Sequence, residues 1–281
     1  MKLLQKSALE LIRLKLRLLA VFSPKLAARS AFRLFCTPQV RNLSEPSGSF
    51  LQAEIIDTVF ENTAIRGYRW NRGGHTRVLI LHGFESSVIN FEHYVVPLTA
   101  KGYEVLAFDA PAHGKSGGKR MNAMQYRDFV HFIQREYGPA TRFIAHSFGG
   151  LAISLVLAET PQNELMRLAL VAPLTRTSTT LEQYYQLAGI RNPEVRQEME
   201  NIINELSGQD IEWFSINRAL KQIRSSVLWA HDRSDMITPF RDLQPVIDAN
   251  YPNVEFLITE GLGHRRIYRD PEVVRAITGF L

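Results

Sequence analysis

A single cysteine, Cys36, stands among 281 residues. It has no partner for an intramolecular disulfide, which makes a reducing, cytoplasmic compartment the expectation. No run reaches the ~18 uninterrupted apolar residues that span a bilayer. No cluster of Cys, His, Asp and Glu has zinc spacing, no Walker-type glycine loop is present, and no GxGxxG follows a strand-like run. No metal and no cofactor are therefore expected. Internal repeats and low-complexity tracts are also missing.

Acidic residues are scarce at one end only. Residues 1–42 hold Lys2, Lys6, Arg13, Lys15, Arg17, Lys25, Arg29, Arg33 and Arg41 against Glu10 alone, a net of +8, so the remainder carries −3 of the chain's +5. A pI near 9.4 invites a nucleic-acid reading. The slightly acidic remainder and the lack of any nucleic-acid motif argue against it, and no nucleic-acid partner is expected. Within the arm, Leu4, Leu11, Leu14 and Leu18 share one helical face. Ser23-Pro24 is expected to end this helix, and Pro24 to start another through Phe35. Arg13, Lys15 and Arg17 interrupt what would be the apolar region of a signal peptide. Three readings of the arm stand side by side: a helical hairpin packed on the body, a basic amphipathic helix over residues 1–22 in peripheral contact with anionic membrane, and a cleaved targeting segment. Asn42–Gly48, with Ser44, Pro46 and Ser47, reads as a linker. The expected division is an arm and linker over 1–48 and a second domain over 49–281.

With 45% hydrophobic residues, that second domain can bury one sizeable core. Two antiparallel strands are expected near 53–60 and 63–70. Further strands follow near 77–82, 103–109, 141–146, 166–172, 225–231 and 254–259. Helices are expected between them, near 89–101, 122–137, 148–159, 240–250 and 271–281. This βα alternation specifies an α/β fold with a mostly parallel sheet and helices on both faces. The interval 173–223 is too long for an ordinary βα connection. It reads as an inserted helical cap, with helical patches over Thr180–Leu187, Pro193–Leu206 and Trp213–Ile223. Tyr184, Tyr185, Leu187 and Trp213 could line an acyl pocket there, though ordinary cap core is the favoured reading.

The most informative string is Ile144-Ala145-His146-Ser147-Phe148-Gly149-Gly150. It is an apolar strand, then small-x-Ser-x-Gly, then the start of a helix. On such a turn the serine backbone is strained and its Oγ stands clear above the sheet edge. Small neighbours are needed because the turn has no room for bulk. A serine hydroxyl needs a base, and the base needs an orienting acid. Candidates lie downstream. Asp232 and Asp235 follow the strand-like Ser226-Val227-Leu228, and His264 follows Val254-Glu255-Phe256-Leu257-Ile258. Open α/β sheets place their sites at these carboxyl ends.

Two further motifs stand upstream. Leu81-His82-Gly83-Phe84-Glu85-Ser86-Ser87 follows one strand, and Phe108-Asp109-Ala110-Pro111-Ala112-His113-Gly114-Lys115-Ser116-Gly117 follows another. With these four motifs in order, residues 50–281 resemble the α/β-hydrolase superfamily, on its branch of serine esterases, lipases and thioesterases. Two positions depart from the pattern: Ala145 and Ala112 stand where the family more often has glycine.

The resemblance implies an α/β-hydrolase fold and a triad of Ser147, Asp235 and His264. Ser147 would attack a carbonyl carbon, His264 would carry the proton, and Asp235 would hold the imidazole. Asp232 is the competing acid. Asp235 is preferred because the family places its acid three residues after the turn held here by His231-Asp232 and four before the proline, here Pro239. The backbone N–H groups of Phe84 and Phe148 would form the oxyanion hole. His82, His113 and His146 read as structural or pocket-lining, and Asp109 as a brace for the loop after its strand. The implied substrate is a small-molecule acyl ester or thioester, with the basic arm tilting it toward lipid-like acyl groups. The alternative is a catalytically silent binding or scaffold protein on the same fold.

Overall fold

Short apolar runs bounded by turns set the sheet. The computed structural model describes residues 3–45 and 47–281, with side chains from Ser7 onward. Lys2, Pro46 and the side chains of Leu4 and Lys6 lie outside the described residues. Strands run β1 Glu54–Phe60, β2 Thr63–Trp70, β3 Arg77–Leu81, β4 Glu104–Phe108, β5 Arg142–His146, β6 Arg167–Val171, β7 Ser226–Asp232 and β8 Val254–Thr259. Helices run α1 Leu3–Phe22, α2 Pro24–Phe35, α3 Glu92–Ala100, α4 Ala123–Glu136, α5 Phe148–Glu159 and α6 Thr177–Ala188. They continue with α7 Pro193–Ser207, α8 Ile216–Leu220, α9 Phe240–Asp248, α10 Gly263–Arg266 and α11 Pro271–Phe280. The chain divides into two compact units. One is 38–175 with 215–281, and the other is 1–37 with 176–214.

In the first unit, among the described residues, eight strands form one sheet in the order β1-β2-β4-β3-β5-β6-β7-β8. β1 and β2 pair antiparallel, as do β2 and β4, and every later pairing is parallel. The β1–β2 hairpin turns on Glu61 and Asn62, both at positive φ (46° and 58°), the geometry that suits the twist of a two-residue hairpin. The interior strands β3 to β6 are buried almost end to end, as continuous apolar runs covered on both faces should be. The terminal strand β8 is only half-buried. α5 is apolar all round and buries ten of its residues, from Phe148 to Leu157, which identifies it as a central helix and not a surface one. The segment after the arm is tied to this unit. Arg41 donates to the Ser116 carbonyl, and Lys115 pairs with Glu45 at 2.8 Å.

In the second unit the expected break at Ser23-Pro24 is a helix cap. Ser23 Oγ accepts from the Leu26 N–H at 3.3 Å, and Pro24 takes the first helical position, where its missing donor is not needed. α2 buries three alanines, Ala27, Ala28 and Ala31, and packs on α7. The Tyr184 hydroxyl donates to the Ala31 carbonyl at 2.8 Å, and Arg13 Nε donates to the Leu187 carbonyl at 3.0 Å. The arm and the 176–214 insert therefore share one body. Tyr185 is buried beneath Arg196, whose guanidinium lies 4.7 Å from its ring, while Leu187 is exposed. The helical patch expected over Trp213–Ile223 is split into a 3₁₀ turn at Ile211–Trp213 and the short α8. Between them Phe214 leaves helical conformation at φ −81°, ψ 66°. Its carbonyl accepts from both Thr177 N and Thr177 Oγ1. A helix through this point would forfeit both bonds.

Candidate functional site

The turn between β5 and α5 carries Ser147 at φ 54°, ψ −119°, a conformation that L-residues adopt only where the surroundings impose it. Two glycines let the neighbouring backbone close around it. A Cβ on Gly149 would stand 2.7 Å from the His82 carbonyl oxygen, so α5 can reach the end of β3 only with glycine there. A Cβ on Gly83 would stand 2.8 Å from Ser147 Cβ and 3.0 Å from His146 Nδ1, which places the loop after β3 directly against the serine. Ala145 is completely buried, and alanine fits where the pattern more often has glycine.

His264 sits on the short α10, reached from β8 through Gly261 and Gly263, both at positive φ. Its Nε2 lies 3.0 Å from Ser147 Oγ and its Nδ1 lies 2.8 Å from Asp235 Oδ2. All three residues are at least nine-tenths buried. The Asp235 carboxylate also accepts from Ile237 N–H at 2.8 Å, Thr238 N–H at 2.9 Å and the Thr238 hydroxyl at 2.8 Å. Burial alone would raise its pKa. The bonds from His264 and Thr238 outweigh that and hold it below the usual carboxylate range. An ionised acceptor on Nδ1 fixes the tautomer that leaves the Nε2 lone pair facing Ser147.

The competing acid has another task. Asp232 Oδ1 accepts from Ser234 N–H, and its Oδ2 accepts from Thr259 Oγ1 and Leu262 N–H, at 2.8–3.0 Å. It ties the end of β7 to the loop that delivers His264. Asp109 is a similar brace. Its Oδ1 accepts from Ser87 Oγ and Val88 N–H, and its Oδ2 from Lys115 N–H. Burial pushes this carboxyl up despite those donors.

The other site histidines are buried and held neutral. His82 Nε2 accepts from Ala110 N–H and its Nδ1–H donates to the Gly83 carbonyl; burial lowers its pKa to about 4. Burial also lowers His113, to about 3. His146 donates Nε2–H to the His264 carbonyl, and burial with the neighbouring His264 ring pushes it well below the usual imidazole range. His231 accepts from Trp229 Nε1–H and donates to the Thr238 carbonyl. Two of these roles escape sequence reasoning: Thr238, the hydroxyl on the acid, and His231, which anchors it. The signal for Thr238 is its place three residues after Asp235, the local capping pattern of short polar side chains.

Phe84 and Phe148, expected to supply backbone donors, flank the serine. Their rings meet edge to face at 5.8 Å. The Phe148 amide opens α5, where unpaired N–H groups and the helix dipole favour negative charge. Among the described residues no group of His, Cys, Asp and Glu is arranged to hold a metal ion.

The sheet order and the strained serine turn after β5 define an α/β hydrolase. The sequence model described as serine aminopeptidase, S33, matches residues 74–278, and the chain belongs to that family. No curated protein matches it by sequence. Among solved structures it is similar to the esterase Pf2001 of Pyrococcus furiosus, at 26% identity over 86% of this chain and 94% of that one, with a TM-score of 0.60. It is similar in fold to the thioesterase domain from the curacin biosynthetic pathway, at 17% identity over 81% and 98% of the two chains, TM-score 0.57. It is likewise similar to mouse alpha/beta hydrolase domain-containing protein 10, at 17% identity over 81% and 96%, TM-score 0.60.

Proposed function

We propose that this hydrolase cleaves carboxylic esters or thioesters through an acyl-enzyme formed on Ser147. The observation that carries this reading is the unbroken chain from Ser147 Oγ to His264 to Asp235, at 3.0 and 2.8 Å, on a backbone held at positive φ. His264 Nε2 takes the proton as Ser147 Oγ bonds to the carbonyl carbon, and the carbonyl π electrons move to oxygen. Asp235, held ionised by its donors, stabilises the imidazolium without itself taking the proton. The oxyanion accepts from the Phe84 and Phe148 amides. Collapse of the intermediate expels the alkoxide or thiolate, to which His264 returns the proton. Water, deprotonated by the same imidazole, then attacks the acyl-enzyme and restores Ser147. This chemistry requires no cofactor.

The similarity to an esterase and to a thioesterase domain supports ester and thioester substrates. The basic, leucine-rich arm favours lipid-like acyl groups. The test is hydrolysis of p-nitrophenyl esters from acetate to long acyl chains by the wild type and by Ser147→Ala, with fluorophosphonate labelling alongside. Turnover abolished by the substitution is expected, and the best chain length reports pocket depth. No turnover together with no labelling at Ser147 would refute the proposal in favour of a silent binding protein.

A further inference from the structure

α1 is apolar on two opposite faces, and only one of them is used. Leu16 is buried at 4% exposure, whereas Leu11, Leu14, Leu18, Val21 and Phe22 are between 53% and 83% exposed. At 3.6 residues per turn these five form one stripe about 100° wide, and Leu16 lies on the far side of the helix. A helix serving only to pack on its own unit needs one apolar stripe. The second is continuous over three turns, too regular for scattered surface leucines.

The flanks of the stripe carry positive charge. Lys15 and Arg17 stand at its two sides and are exposed, and on α2 Lys25, Arg29 and Arg33 are exposed in turn. The sole acid of residues 1–42 is Glu10, which pairs with Arg13 at 2.6 Å. An apolar stripe flanked by cations, on a segment of net charge +8 attached to a remainder of −3, is complementary to a surface that is apolar within and anionic at its face. No helix among the described residues is long and apolar enough to cross a membrane, so the matching geometry is a helix lying in the interface.

We infer that the outer face of α1 docks on anionic lipid membrane, with Leu11, Leu14, Leu18, Val21 and Phe22 entering the headgroup–acyl boundary while Lys15 and Arg17 meet lipid phosphates. A second copy of the chain is the competing occupant. It is disfavoured because a symmetric α1–α1 contact would bring two +8 segments together. The inference is independent of the chemistry at Ser147.

The test is co-sedimentation of the full chain with vesicles of phosphatidylcholine alone and of phosphatidylcholine containing one third phosphatidylserine. Each cation at an anionic surface contributes roughly fivefold in partition. Lys15 and Arg17 alone therefore predict about 25-fold preference for the phosphatidylserine vesicles, fading at high salt. Leu14→Glu with Leu18→Glu alters exposed positions only, so thermal unfolding stays as in the wild type while partition falls at least about tenfold. Lys15→Glu with Arg17→Glu removes the phosphatidylserine preference. Equal binding to both vesicles, no binding to either, or leucine variants that sediment like the wild type would overturn the inference. So would a dimer that the leucine variants dissolve in a protein that binds no vesicle, which would assign the face to a second copy.

Discussion

Replacing Asp235 by asparagine tests the site at its most informative atom. The carboxylate accepts on both oxygens: Oδ1 from the Ile237 and Thr238 amides, Oδ2 from His264 Nδ1 and the Thr238 hydroxyl. A carboxamide in its place can keep only one of these edges. The two amides on Oδ1 hold the retained oxygen there, which turns the new NH₂ toward His264. Two donors then face each other across 2.8 Å. The imidazole escapes by moving its proton to Nε2, where an N–H and not a lone pair now meets Ser147. A base locked in the wrong tautomer loses about 10⁴ in kcat, or about 5 kcal/mol of barrier. KM should change little, since Asp235 does not touch substrate. Asp232→Asn is the comparison, because it sits three residues away and is equally buried. It loses one of three accepted bonds in the loop brace, which lowers unfolding free energy by about 1–2 kcal/mol and leaves kcat within about tenfold. The assay is steady-state hydrolysis of the best p-nitrophenyl ester, with denaturant unfolding of each variant. If Asp232→Asn lost the 10⁴ and Asp235→Asn stayed within tenfold, the assignment of the acid would be wrong.

Two further outcomes follow from burial around the serine. Gly83→Ala would set a Cβ 2.8 Å from Ser147 Cβ and displace the loop bearing the Phe84 amide, so kcat should fall about 100-fold in a protein that still unfolds cooperatively, measured by the same ester assay and by thermal melting. Stability should also fall with acid before the carboxylates titrate. His82 is depressed to about 4, below its unfolded value of about 6.5, so the unfolded chain binds more protons between these values and stability drops as pH falls through that window. The loss is roughly 3 kcal/mol over the window for His82, and His82→Gln should flatten the profile by about that amount in denaturant titrations between pH 7 and 4.

The parts of this molecule legible in sequence are those set by local periodicity and turn chemistry. β5 and α5 could be placed around Ser147 because an apolar run must stop where small residues permit a sharp turn. The Ser23-Pro24 break could be placed because a serine hydroxyl and a missing proline donor satisfy a helix start by themselves. The choice between Asp232 and Asp235 was of another kind. Asp232 ends β7 and Asp235 lies three residues beyond it; both are acidic and both are buried, and sequence alone offered only the family's spacing to separate them. They are distinguished by which donors reach them from elsewhere in the chain: Thr259 and Leu262 for one, His264 for the other. The split of the expected Trp213–Ile223 helix has the same origin, since the Phe214 carbonyl is claimed by Thr177, 37 residues earlier.

The sequence by itself determined the α/β order of the elements, the strained serine turn and the separate charge of the arm. Each depends on residues within a few positions of one another, and local sterics and hydrophobic period decide them. Only the tertiary structure decided that the arm and the 176–214 insert form one body and that one face of α1 is left exposed. It alone brought Ser147, Asp235 and His264 within hydrogen-bond reach across 117 residues of chain. Those outcomes turn on which surfaces meet once the sheet has closed, and that information is carried by packing between distant segments.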